Sequence, residues 1–403
     1  MNKKSLFILL FLITVFMSCN TDSDETEQSF KSIPKSTKIV EANNEFAFSI
    51  FKEIAKEETK ANYMISPVSA SLALGMVCNG AKNETLNAFN QAFNYGDASL
   101  NEINTVNQSI INHLTENTFG STFSIANSLW IDNRFPVKEE FIKLNKRFYN
   151  AEVQNLDFKN SNSVNIINNW VSDKTQEKIP TIIEDIPSNM VMYAINALYF
   201  KSDWKYTFDK KNNTLEPFYI DLQSLKETEM MNMSEDLLYL ENNFFSSVLL
   251  PYKNDKYNMV LLLPNINKSI KEVISVLDEK QWKQWLNQYT KERVSLSLPK
   301  FSFSYEKMFN KALKNMGLGI AFTDRADFSG ISNTATQISF VLQKTYIEVN
   351  EQGTEAAAAT AVGIGTTSIG LDYKLVLNRP FLFLITEKTT QAISFIGKIG
   401  SPE

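Results

Sequence analysis

The sequence predicts an α+β fold with a large central mixed β-sheet, further sheets and surrounding helices, and three observations carry that prediction. Residues 190–200, MVMYAINALYF, are apolar apart from Asn196, as in a strand covered on both faces. Residues 294–305, VSLSLPKFSFSY, alternate with period two. Residues 43–57 instead put Phe46, Ala47, Ile50, Phe51, Ile54 and Ala55 on one helical face. Strand and helix signals then alternate irregularly, with no second linker and no repeat, so residues 38–403 are expected to form one domain. Of the 403 residues 43% are hydrophobic and 21% charged, enough apolar side chain for a large core.

Ahead of that domain, Lys3 and Lys4 precede an apolar run, Leu6 to Phe16, too short to span a bilayer comfortably. The run ends at Ser18-Cys19. A small residue followed by cysteine resembles a bacterial lipoprotein signal, although Phe16 and Met17 are bulkier than that pattern prefers. The resemblance implies removal of residues 1–18 and lipidation of the Cys19 thiol. An ordinary secretory peptide is the other reading. Export follows from both: to the outer membrane or cell surface as a lipoprotein, or to the periplasmic or extracellular space. Membrane contact is expected through the lipid anchor alone. Residues 19–37 are acidic and polar and predict a flexible tether.

Composition removes several functions. The net charge of −5 and the lack of a strongly basic segment argue against nucleic acid as a partner. One histidine and two cysteines leave too little for a zinc site, so no metal and no cofactor is expected. A Ser-His-Asp triad would have to use His113, which lies in a polar helical stretch and reads as a surface or helix-end residue. No G-x-S-x-G elbow occurs, and S-x-x-K at Ser32, Ser202 and Ser304 lacks the partner motifs of a serine hydrolase. Cys78, in LALGMVC, reads as a buried free thiol.

The remaining elements follow in order. Ser66-Pro67 predicts an N-cap and a first helical proline, with Gly80 suited to the helix end. Asn196 requires hydrogen-bond partners within its strand. Residues 257–263 read as a strand, 268–287 as a helix, and 338–349 and 373–385 as further strands.

Between these last two lies NEQGTEAAAATAVGIGTTSIG, residues 350–370. It holds no proline and one charge after Thr354, at Glu355. Twenty structureless residues between strands are uncommon in a compact domain and usually functional or disordered. Read as a strand, one face carries Thr354, Ala356, Ala358, Thr360, Val362, Ile364 and Thr366. The other carries Glu355, Ala357, Ala359, Ala361, Gly363, Gly365 and Thr367. Every N–H is free for a ladder, so the segment suits exposure in one state and a central strand in another.

Val349-Asn350-Glu351-Gln352-Gly353-Thr354-Glu355, running on through Ala356, Ala357, Ala358, Ala359 and Thr360, resembles the hinge of the reactive-centre loop of inhibitory serpins. Asn378-Arg379-Pro380-Phe381 resembles the stretch after that loop. Asn62 to Ser69, Asn196 to Lys201 with Trp204, Leu250-Pro251-Tyr252, Pro299-Lys300-Phe301, Ala326 to Gly330 and Phe395 to Lys398 fit further family motifs in order. The resemblance implies the serpin fold, with an exposed loop at about 351–371, and suicide inhibition of serine or cysteine endopeptidases. The protein is then an inhibitor and not an enzyme. A protease cuts the loop, stays bound as an acyl-enzyme, and is dragged along as the loop enters the main sheet. Gly353 is expected to pivot through unusual backbone angles. Ser66, Ser69 and Asn196 match three residues of the family's shutter; Gln343 stands where histidine is usual. Trp204 matches the breach tryptophan.

Counting from Glu351 puts the scissile bond between Thr367 and Ser368. Counting back from Asn378 gives Ile369-Gly370, because the loop is about two residues longer than the common form. The hinge count is preferred, since insertion depends on that length. No lysine or arginine lies between Thr345 and Tyr373, so elastase-like or subtilisin-like proteases are expected as targets rather than trypsin-like ones. The alternative is a non-inhibitory serpin acting as a binding or chaperone-like protein. Region 100–118 lacks the clustered basic residues of a heparin site. A monomer is expected.

Overall fold

The computed structural model describes residues 30–116, 119–355 and 373–402. Nine α-helices lie among them: α1 (Ser36–Ala55), α2 (Pro67–Cys78), α3 (Asn83–Phe93), α4 (Leu100–Thr115), α5 (Glu139–Tyr149), α6 (Asn162–Lys174), α7 (Ile270–Val276), α8 (Glu279–Leu286) and α9 (Asn310–Leu313). The strands are β1 (Tyr63–Ile65), β2 (Ser121–Asp132), β3 (Glu152–Leu156), β4 (Met192–Asp203), β5 (Thr214–Tyr219), β6 (Leu225–Glu241), β7 (Phe245–Pro251), β8 (Tyr257–Pro264), β9 (Thr290–Pro299), β10 (Phe301–Met308), β11 (Leu342–Val349), β12 (Gly353–Thr354), β13 (Tyr373–Val376), β14 (Phe381–Glu387) and β15 (Ile393–Ile399).

They form two sheets. One has nine strands, ordered β1-β15-β14-β8-β7-β6-β9-β13, with β5 paired to β6. The other has six, ordered β10-β11-β12-β4-β2-β3. Its pairs are antiparallel except β2 with β3, which makes the sheet mixed, as expected. Strand β4 is covered on both faces. Tyr193, Ile195 and Ala197 pack with Trp130, Ile167 and Trp170 in a cluster beneath α6, while Phe200 joins the main core.

Local chemistry explains the elements that position the site. Ser66 caps α2: its Oγ accepts the Ser69 N–H (3.2 Å) and Pro67 opens the helix. Gly80 serves packing and not a left-handed turn, because a Cβ there would fall 2.1 Å from Ile331 Cγ1. Cys78 is a buried free thiol, pushed up to about 12 by burial and therefore a poor nucleophile.

Four expectations change. The segment 268–287 is two helices, because the first stops at Val276 with Leu277 in extended backbone, and Asp278 accepts the Gln281 N–H to cap the second. The segment 294–305 is two strands of different sheets, divided at Lys300. The segment 373–385 likewise splits into β13 and β14. Residues before 38 pack on the body: Phe30 is buried with its ring 5.2 Å from that of His113, and Lys35 pairs with Asp97 and Glu102 (3.2 Å each). Residues 30–37 therefore belong to the domain and not to the tether. His113 is a helix-end residue, in the last turn of α4, but it is half-buried instead of lying on the surface.

Candidate functional site

The six-stranded sheet is divided down its middle. Strands β4 and β11 share no ladder of their own among the described residues; only β12 joins them, at one end. Thr354 stands opposite Val349 on β11 and Ser202 on β4, and Gly353 opposite Asp203. Beyond β12 the strands enclose a cavity of about 320 Å³, lined by residues of β4 and β11, by Ser66 and Ser69 of the α2 start, and by Ile179, Ile182 and Ile183 from the segment after α6.

Gly353 and Thr354 enter this slot, so the stretch expected to be exposed from residue 351 is buried at its start. Thr354 is 2% exposed and its hydroxyl shares a 2.7 Å hydrogen bond with that of Tyr252. Gly353 is glycine for a different reason than the sequence suggested. It does not have a positive φ; instead a Cβ would sit 2.0 Å from the Ser202 carbonyl oxygen. The left-handed residue is Glu355, with φ 56°. Ala356, Ala357, Ala358, Ala359, Thr360, Thr367, Ser368, Ile369, Gly370 and Cys19 lie outside the described residues.

An ion pair anchors the head of the hinge. Lys300 Nζ is 2.6 Å from Glu351 Oε1 and 3.0 Å from Glu229 Oε1. The Asn213 side-chain amide donates to Glu351 Oε1 (2.7 Å). Burial acts to raise the Glu351 carboxyl, but these donors hold it below its ordinary value. Trp204 is 1% exposed, stacks on Tyr252 at 4.6 Å, and donates from Nε1 to the Asn350 carbonyl (2.9 Å).

The four residues expected as a shutter do not form one network. Gln343 Oε1 accepts the Ser66 N–H (2.8 Å) and Gln343 Nε2 donates to the Ser66 carbonyl (2.8 Å), so one amide ties β11 to the start of α2. Ser66 Oγ donates to the Ser394 carbonyl (2.8 Å). Ser69 contributes its backbone N–H to the cap. Asn196 stands on the other wall: its Nδ2 donates to Asn127 Oδ1 (2.7 Å), while its Oδ1 is buried without a partner among the described residues. Sequence reasoning missed Asn127 and Asn213. Their roles come from long-range contacts that leave no local signature.

Replacing Gln343 with alanine strands the buried Ser66 N–H. We expect a loss of about 2 kcal/mol, the cost of one orphaned buried donor with its lost bond. Chemical denaturation of Q343A against wild type checks it. The loss should be equal at pH 5.5 and pH 8, because an amide does not titrate.

The family model described as "Serpin (serine protease inhibitor)" matches residues 41–402. An uncharacterized serpin-like protein of Methanosarcina mazei is 31% identical over 426 residues, spanning 99% of this chain and 98% of that one. The crystal structure of the thermophilic serpin tengpin in its native state superposes with a TM-score of 0.83 at 35% identity, covering 90% of this chain and 94% of tengpin. Human thyroxine-binding globulin complexed with thyroxine gives a TM-score of 0.84 at 28% identity, covering 91% and 99%.

Proposed function

The chain belongs to the serpin family, and we propose that it is a single-use inhibitor of serine endopeptidases that traps its target as a covalent acyl-enzyme. The observation that carries this reading is the seating of Gly353 and Thr354 between β11 and β4 at the head of an open slot. Extended residue by residue, that register would bring Thr360 opposite both Asn196 and Gln343, and Ile364 opposite Met192, the first residue of β4. Directly paired residues face the same side of a sheet. Thr354, Ala356, Ala358, Thr360, Val362 and Ile364 would then face the main body. Ala357, Ala359, Ala361 and Gly363 would face α6 and the isoleucines that follow it. The unpartnered Asn196 Oδ1 would meet the Thr360 hydroxyl.

The chemistry is then a race. The protease serine attacks the scissile carbonyl at Thr367-Ser368 (the alternative bond being Ile369-Gly370), forming an ester as the Ser368 amine leaves with a proton. Water would hydrolyse the ester and free the protease. Entry of the loop into the slot carries the acyl-enzyme away before it does. The absence of basic residues from 346 to 372 favours elastase-like or subtilisin-like targets, with cysteine endopeptidases a further class. We further propose that lipidated Cys19 ties the exported protein to a membrane, with residues 20–29 as the tether, and that it works as a monomer.

The test is incubation of residues 20–403 with elastase, subtilisin and trypsin, followed by a denaturing gel. A boiling-resistant band at the summed mass, with elastase or subtilisin and not trypsin, supports the reading. Cleavage near 364–370 without that band with any of the three makes the protein a substrate-type, non-inhibitory serpin toward them.

A further inference from the structure

The hinge carries one acidic residue into the sheet, and the fold supplies a cation where it enters. We propose that Lys178 is a positioning residue for loop entry: its ammonium releases Glu348 and takes up the carboxylate of Glu355 as the hinge moves in. This rests on the inhibitory reading of the slot.

Three features support the assignment. First, the Glu355 N–H donates to the Glu348 carbonyl (3.0 Å), continuing the β12 register on β11. Once Glu355 leaves its left-handed conformation and extends, its side chain stands level with Glu348 and Lys201 on the α6 side of the sheet. A like charge directly across the strand opposes that step. Second, Glu355 is already 9% exposed, with its Oε2 buried and unpartnered among the described residues. Third, Lys178 reaches over the same slot from the segment after α6. Its Nζ is 3.9 Å from Glu348 Oε2 and 4.6 Å from the Tyr346 ring centre, and it lines the cavity with Glu355. The Glu348 contact is long and about a third exposed on both sides, so releasing it costs little.

The groups facing Glu355 are Tyr199 and Lys201 on β4, Glu348 on β11 and Lys178 on the covering segment. Burial lifts its carboxyl to about 7; Lys178 is the strongest influence drawing it back, ahead of Tyr199 and Lys201, while Glu348 pushes it up. Removing Lys178 therefore raises it further.

The experiment compares full-chain wild type, K178A, K178R, E355Q and K178A/E355Q by two readouts. Carboxyl NMR titration of Glu355 should move upward by about one unit in K178A and return in K178R. With elastase, K178A should raise the ratio of cleaved inhibitor to covalent complex roughly fivefold at pH 8 and less than twofold at pH 6, where Glu355 is mostly protonated. E355Q should cancel the effect of K178A at both pH values. Unchanged Glu355 titration in K178A overturns the proposal even if wild type traps no protease, in which case the inhibitory reading fails separately. Equal or better trapping by K178A at pH 8, or a defect that E355Q leaves in place, also overturns it.

Discussion

Thr354→Arg should abolish covalent trapping while leaving loop cleavage intact. The wild-type side chain is buried between Ser202 and Val349 with its hydroxyl on Tyr252. A guanidinium there would lose its water, and no carboxylate faces that position from Ser202, Val349 or Tyr252. Burying an unpaired charge costs several kcal/mol. A barrier raised by about 3 kcal/mol slows insertion roughly hundredfold, so hydrolysis of the ester wins. The gel should show cleaved inhibitor, active protease and at least a hundredfold fall in complex per cleavage event. Thr354→Ser, which keeps the hydroxyl, should still trap. A T354R protein that forms complex at the wild-type rate would show that Thr354 does not lead the entering strand.

Lys300→Ala should give the largest stability loss. It removes the cation from a Glu351 side chain that is 3% exposed, leaving Asn213 as its remaining side-chain donor. Breaking a buried pair from one side costs about 3 kcal/mol, which for a domain of this size lowers the melting temperature by several degrees. The pH dependence fixes the cause. The folded carboxyl lies below its unfolded value of 4.5, so the pair's contribution is complete above that value and is lost as pH falls through the lower folded one. Wild type and K300A should differ fully at pH 7 and converge in the acid range below 4.5. A gap that persists unchanged at pH 3 would assign the loss to packing instead.

Much of the fold is legible in the sequence because its signals are local. Ser66-Pro67 announces a cap whose hydrogen bond is present, and the apolar run around Asn196 becomes a doubly covered strand. The errors fall where one local pattern serves two structures. Period-two alternation crosses Lys300 without a break, yet Pro299 and Phe301 belong to different sheets, and nothing in the alternation encodes which sheet a strand joins. Asp278 fits a helix interior or a cap equally well by periodicity; its hydrogen bond to Gln281 decides for the cap. For the site, the residue types of the hinge were readable but their reasons were not. Gly353 is required by the carbonyl of Ser202, about 150 residues earlier in the chain, and the carboxylate of Glu351 depends on Lys300 at the junction of β9 and β10. Tyr252 lies in a motif noticed for its resemblance, but its bond to Thr354 is visible only in three dimensions.

The β12 register divides the loop into two texts addressed to different readers. If the loop enters as proposed, each residue through Ile364 would meet a partner on β4, so its identity would answer to the sheet, alternately to the body and to the covering helix. From Gly365 onward the extended register would run past the end of β4, and the chain would answer to the protease alone. On the inhibitory reading, target choice and trapping would be separable heritable traits. Substitutions at 365–368 should then change which enzyme is caught, and those at 354–364 whether any is held. A lineage facing a new protease has a short stretch to rewrite, with the spring-loaded part of the molecule left as it was.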